Sequence, residues 1–254
     1  MMATTMGMIQ SATAEIKHVP LEYEATGITL KGDLYYDDSI KERRPGVLVV
    51  HEWWGLNDHA RNSAKKLAEA GYVAFALDMY GKGKQADHPD QAGAFVKEAT
   101  KDAATAGGRF MAAVELLKKQ EQTDPGRIGA IGYCFGGAIV LEMARRGTDL
   151  RGVVSFHGSL SPFEAAKAGE VKAKILVCHG AKDPLIPAEA VSNFIGEMEH
   201  AGADYQFISY GGTQHSFTNP EADKRGIPGL AYNEASAKRS WDHMTMFLKE
   251  VFAR

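Results

Sequence analysis

One stretch constrains this chain more than any other. The apolar run Arg127-Ile128-Gly129-Ala130-Ile131 leads into Gly132-Tyr133-Cys134-Phe135-Gly136-Gly137, and a helical pattern follows from Ala138 to Arg146. A buried strand that passes straight into a helix through G-x-C-x-G-G is a nucleophile elbow, with cysteine in the place of serine. Such a turn crowds its own backbone, and glycines on either side of the nucleophile relieve the crowding. Gly147 stands where the helix needs its C-terminal cap. Cys134 falls at the helix N-terminus, where unpaired N–H groups and the helix dipole favour a thiolate. The competing reading is a buried cysteine in a glycine-rich packing turn.

Similar runs recur along the chain. Residues 46–51 and 174–179 are continuous apolar stretches of the kind found in central parallel strands, and residues 72–78, 152–156 and 205–210 add three more. Residues 19–36 alternate around Gly27 and Gly32, as an antiparallel meander at a sheet edge does. Residues 57–70 place Ala60, Ala64 and Leu67 on one helical face, with Gly71 beyond. Residues 89–120 read as helical, with a break expected at Gly107-Gly108, and a short helix is expected over residues 162–168. Val191, Phe194, Ile195 and Met198 mark a helix stopped at Gly202. Trp241, Met244, Phe247, Leu248 and Val251 mark the last one. Strands alternating with helices predict an α/β fold, a mostly parallel, doubly wound sheet with helices on both faces. No linker or repeat interrupts the pattern, so residues 19–254 read as one domain behind a flexible segment, residues 1–18.

At 254 residues and 44% hydrophobic, the chain can bury one sizeable core. Its 29 basic and 32 acidic residues, net charge −3, leave no footprint for nucleic acid. No apolar run approaches a membrane span, and no basic amphipathic helix marks a membrane surface. The two cysteines, Cys134 and Cys178, are too few for a disulfide framework and too far apart for a CxxC pair. The N-terminus lacks the basic residues and apolar run of a complete signal peptide, which points to the cytoplasm. Ala12-Thr13-Ala14 before Glu15 has the small-residue pattern of a cleavage site. A shortened export signal, with a periplasmic or secreted protein, is therefore the alternative.

Acyl transfer needs a nucleophile, a histidine base, an acid to orient the base, and donors for the oxyanion. On an elbow fold these side chains come in the order nucleophile, acid, histidine, each on a loop after a strand. Asp183, in Gly180-Ala181-Lys182-Asp183-Pro184, lies just past the run at 174–179. His215, in Gly211-Gly212-Thr213-Gln214-His215-Ser216-Phe217, lies just past the run at 205–210. Both fall at strand C-terminal ends, where an open α/β sheet gathers its site. The N–H of Phe135, after the nucleophile, is one oxyanion donor, and the loop His51-Glu52-Trp53-Trp54-Gly55 offers another through Trp53. Trp54 reads with Trp53 as pocket wall, or else as core, the usual place of large aromatics. His157 follows a strand at the same sheet end and is placed as a pocket-lining residue. Cys178 sits inside a strand and reads as an inert buried thiol. No metal site is expected, because Gly55 stands where H-E-x-x-H requires its second histidine. Gly81-Lys82-Gly83-Lys84 has no Walker context and reads as a solvated loop.

With these residues in place, the chain resembles the dienelactone hydrolases, or carboxymethylenebutenolidases, of the α/β-hydrolase superfamily. The resemblance covers about residues 21–252. It rests on the elbow, on Glu52, on Asp78-Met79-Tyr80, on Gly180-Ala181-Lys182-Asp183 and on His215-Ser216-Phe217. It implies an α/β-hydrolase fold and a Cys134–His215–Asp183 triad that works through an acyl-enzyme. It also implies that Glu52 stands beside the thiol and takes its proton once substrate arrives. Where the family holds a substrate carboxylate with two arginines, motif alignment puts Lys82 and Asn219, which cannot form the same bidentate forks. The expected activity is hydrolysis of small esters or lactones, without a cofactor, by a monomer or homodimer. A thioesterase or broad carboxylesterase is the alternative within that class. Outside it stands a thiol redox sensor or ligand-binding protein on the same scaffold.

Overall fold

The computed structural model describes residues 15–253. Expectations for residues 1–14, the Ala12-Thr13-Ala14 pattern among them, lie outside the described residues. The chain opens on an antiparallel hairpin, β1 (Ile16–Ala25) and β2 (Ile28–Asp37). Residues 16–18, expected within a flexible segment, are already paired there, with Ile16 opposite Asp37. Then come β3 (Arg44–Val50), α1 (Asp58–Glu69), β4 (Val73–Leu77), α2 (Pro89–Ala99), α3 (Ala103–Lys118), β5 (Thr123–Tyr133) and α4 (Phe135–Arg145). The last six are β6 (Gly152–Phe156), β7 (Lys174–Gly180), α5 (Ala188–Ala201), β8 (Tyr205–Tyr210), a 3-10 turn (Asp223–Arg225) and α6 (Glu234–Val251).

The strands form one sheet in the order β1-β2-β4-β3-β5-β6-β7-β8. It is antiparallel across β1, β2 and β4, and parallel from β4 through β8. Side chains alternate across it. In β3, Leu48 and Val50 face a core shared with Phe110 of α3, Ile139 of α4 and Phe194 of α5. Val47 and Val49 face the opposite core, with Leu67 of α1 and Phe247 of α6. Both faces of β3 are covered, which is why it reads as unbroken apolar sequence and not as an alternating one. Strand order reverses at β3, whose neighbours are β4 on one side and β5 on the other. The loops after β3 and β5 therefore part at their strand ends and leave the crevice that such sheets use as a site.

Two local expectations fail. The helical region breaks at residues 100–102, not at Gly107-Gly108, which lie inside α3. Asp102 starts α3 afresh as its N-cap, accepting the Thr105 N–H at 2.6 Å, and so fixes the break just before it. Gly108 is instead a packing residue, since a Cβ there would come within 2.9 Å of Thr26 Cγ2. Residues 162–168 form no helix. Their N–H groups turn to side chains: Phe163 N–H donates to Glu142 at 3.2 Å and Ala166 N–H to Glu197 at 2.9 Å.

Candidate active site

The elbow is built by close approach. Cys134 has φ +50°, in the left-handed region that residues with a Cβ avoid. A Cβ on Gly132 would fall 2.1 Å from the Gly136 carbonyl oxygen, and one on Gly136 would fall 2.3 Å from that of Val50. Only glycine allows β5 to turn into α4 this tightly against β3. The Cys134 N–H donates to the Phe156 carbonyl at 2.9 Å, and the Gly136 N–H to that of His51 at 3.1 Å. Among the described residues, no protein acceptor takes the N–H of Phe135 or of Trp53. The Cys134 side chain is half-buried, while Cys178 is buried and accepts the Tyr210 hydroxyl at 3.6 Å.

Asp183 and His215 meet at the ends of β7 and β8. His215 Nδ1 is 2.7 Å from Asp183 Oδ2, and Asp183 Oδ1 accepts the Leu185 N–H at 2.9 Å. Both side chains are buried, and His215 Nε2 has no hydrogen-bond partner among the described residues. Burial works against a charged imidazole. Cys134 and the Asp183 carboxylate outweigh it, and raise the His215 pKa to about 10. The Tyr80 phenol is also raised, by burial first and then by Cys134, which places it in the same surroundings.

Glu52 is 1% exposed and held at both oxygens. It accepts the Ser216 hydroxyl at 2.9 Å and the Asn219 amide at 2.6 Å. Its carboxylate thus ties the loop after β3 to the loop carrying His215, and no hydrogen bond links it to Cys134 among the described residues. Asn219, expected to face substrate, is buried, with its Oδ1 accepting the Glu221 N–H at 2.9 Å. Lys82 is exposed at the β1 edge; the Glu22 carboxyl there is lowered by Lys31 and, more weakly, by Lys82. The Trp53 and Trp54 rings lie 4.8 Å apart, and the Arg225 guanidinium sits 4.1 Å over Trp54. Trp54 is 2% exposed and packs with Ala86 and Ala92, as a core residue does. The Trp53 carbonyl accepts the Tyr80 hydroxyl at 3.1 Å. His157 is buried against the His215 ring, centroids 5.1 Å apart.

Thr218, Ser216, Tyr80 and Arg225 went unread in the sequence. Of these, only Ser216 and Tyr80 lie in motifs already singled out, and spacing says nothing of where such side chains turn. Asp78, in one of those motifs, is buried and shapes the loop after β4. Its carboxylate accepts N–H groups from Lys31, Tyr80, Gly81 and Gly83, at 3.2, 2.7, 3.0 and 3.1 Å. A polar groove of about 1050 Å³ runs between α1 and α6, with His59, Thr218 and Asn219 in its wall. Cys134 does not line that groove. No cluster of three or more metal-ligating side chains occurs among the described residues. No helix among them is long and apolar enough to cross a membrane.

A family model described as the dienelactone hydrolase family matches residues 32–252. "Protein usf" of Aquifex pyrophilus is 30% identical over 91% of this chain and 97% of its own length. A relative from Aquifex aeolicus, provisionally named a carboxymethylenebutenolidase, is 30% identical over 90% of this chain and 96% of its own. The crystal structure of a dienelactone hydrolase-like promiscuous phosphotriesterase from metagenomic libraries superposes with a TM-score of 0.91. It shares 37% identity and covers 95% of this chain and 100% of that one.

Proposed function

Because the chain belongs to the dienelactone hydrolase family, hydrolases that act on ester and lactone bonds, we propose that it works through a Cys134–His215–Asp183 triad. The single observation that carries this is the buried His215–Asp183 pair at 2.7 Å, with Nε2 unpaired among the described residues and the imidazole under the influence of Cys134 as well as Asp183. Asp183 fixes the tautomer that leaves Nε2 to exchange a proton with the sulfur. Cys134 attacks the carbonyl of a small ester or lactone, and the oxygen takes up negative charge. The N–H groups of Phe135 and Trp53 receive that charge, without reorganising at the moment of reaction. The imidazolium then gives its proton to the leaving alkoxide, and an acyl-cysteine remains. Water, deprotonated by His215 Nε2, hydrolyses it and returns the thiol. In a lactone the alcohol so formed remains part of the acyl chain, and hydrolysis of the acyl-cysteine releases a single hydroxy acid. A thioester offers the same carbonyl, so thioesterase and broad carboxylesterase activity belong to the same reading.

The test is burst kinetics with an activated ester. The wild type should release one equivalent of alcohol per Cys134 before steady turnover. Cys134→Ala should lose turnover by on the order of a thousandfold or more. Cys178→Ala should retain it, with some loss of stability from the cavity created. Equal loss in the two folded variants would refute the assignment.

A further inference from the structure

His157 packs on the proposed base without belonging to the triad. Its φ of +42° is a conformation that a residue with a Cβ keeps only where its surroundings fix it. Here the ties run both ways. The preceding carbonyl, that of Phe156, accepts the Cys134 N–H at 2.9 Å, and the His157 N–H donates to the Cys178 carbonyl at 2.9 Å. On the side-chain side, Nε2 lies 2.8 Å from Thr218 Oγ1, which is itself 3.2 Å from His59 Nε2. Thr218 belongs to the loop that carries His215.

The groups packed on the His157 ring are His59 from α1, Tyr133 from β5, and His215, Phe217 and Thr218 from the loop after β8. Burial, followed by the charges of His215 and His59, holds this imidazole neutral. A neutral ring has one donor and one acceptor, so the Thr218 hydroxyl can donate to one histidine and accept from the other. The three groups therefore form a chain, His157–Thr218–His59, whose direction the ring tautomers set.

We propose that His157, through Thr218, is a positioning residue that sets the separation between the Cys134 sulfur and His215 Nε2. It does so by fastening the loop of the base to the end of β6, whose Phe156 carbonyl accepts the Cys134 N–H of the elbow. Other side-chain ties of that loop run elsewhere and not to the elbow: Ser216 and Asn219 to Glu52 of the oxyanion loop, Thr213 to Ser236 of α6, and His215 to Asp183 after β7. A displacement of about 1 Å in a reacting group costs on the order of a hundredfold in rate, so one such fastening matters. The inference rests on Cys134 and His215 being nucleophile and base.

Three variants of the full chain test it. Thr218→Val keeps the shape and cuts the bond; His157→Phe keeps a ring and removes both nitrogens; His157→Gln returns a polar atom near the Nε2 position. Two quantities are read: kcat and KM with p-nitrophenyl acetate, and the pH profile of iodoacetamide alkylation at Cys134, located by mass spectrometry. Thr218→Val and His157→Phe should lower kcat by about tenfold or more, with KM changed by less than about threefold. They should also lose the acid side of the alkylation profile, where reactivity requires His215 to pair with the thiolate. His157→Gln should regain most of both. Wild-type kcat and alkylation in Thr218→Val would overturn the proposal, as would lost kcat with an unchanged alkylation profile. Alkylation needs no ester turnover. A wild type with acid-side reactivity but no esterase activity would therefore refute the hydrolytic triad and leave the positioning role standing.

Discussion

His215 and Glu52 are both buried, yet they answer to different partners. His215 carries a pKa raised from 6.5 to about 10, against burial, by Cys134 and then Asp183. The sign follows from linkage: a raised histidine favours the folded state fully below about pH 6.5, and that contribution fades as pH rises through about 10. For catalysis the same shift predicts that kcat/KM falls on the alkaline side as the imidazolium is lost. Asp183→Asn removes one of the raising groups, so its alkaline limb should move to lower pH while kcat drops by on the order of a thousandfold. An unmoved limb would show that Asp183 does not act on His215. Glu52 was legible only through family likeness, and its role beside the thiol stays our proposal. Nothing in its spacing from Ser216 and Asn219 foretold that both would bond to it. Glu52→Gln replaces an acceptor with a donor facing the Asn219 amide, and removes a negative charge close to the elbow. Turnover should fall, while free Cys134 should alkylate faster near neutral pH, because a like charge no longer opposes the thiolate. Slower alkylation with turnover retained would remove Glu52 from the chemistry.

Among elements, legibility followed steric constraint. The elbow was readable because Gly132 and Gly136 have no substitute there: added Cβ atoms would meet backbone at 2.1 and 2.3 Å. The helix break was misread because glycine also serves packing, and the capping oxygen of Asp102 fixes where α3 begins. The loop at 162–168 was misread because Glu142 and Glu197, far away in sequence, supply acceptors that a local pattern cannot reveal. The loop after β4 shows the same dependence on one side chain. Asp78→Ala would leave four N–H groups without their carboxylate. We expect a loss of about 3 kcal/mol or more, since buried donors left unpaired cost about 1–3 kcal/mol each and some will find water. For a chain of this size that is on the order of 10 °C in Tm, measurable by thermal melting. A Tm within about 2 °C of wild type would mean the loop is held by other contacts.

For the whole molecule, the fold class and the sheet edge were legible from alternating runs, because covered and half-covered strands differ in pattern. Substrate choice was not, since it depends on which charges reach the crevice. Lys82 lies exposed at the β1 edge and Asn219 is spent on Glu52, so neither offers a carboxylate a planar fork. Neutral short-chain esters or lactones should match or exceed carboxylate-bearing lactones in kcat/KM. A preference of about tenfold for the charged lactone over every neutral analogue would reverse that view. The strand order has one more outcome, in time. Cys134 leaves the ribosome on β5, but His215 follows β8, about 80 residues later, which is several seconds of synthesis. Until β8 docks at the outer edge of the sheet, His215 has no place beside that sulfur. A chain made only as far as β7 therefore carries Cys134 without the base we propose for it.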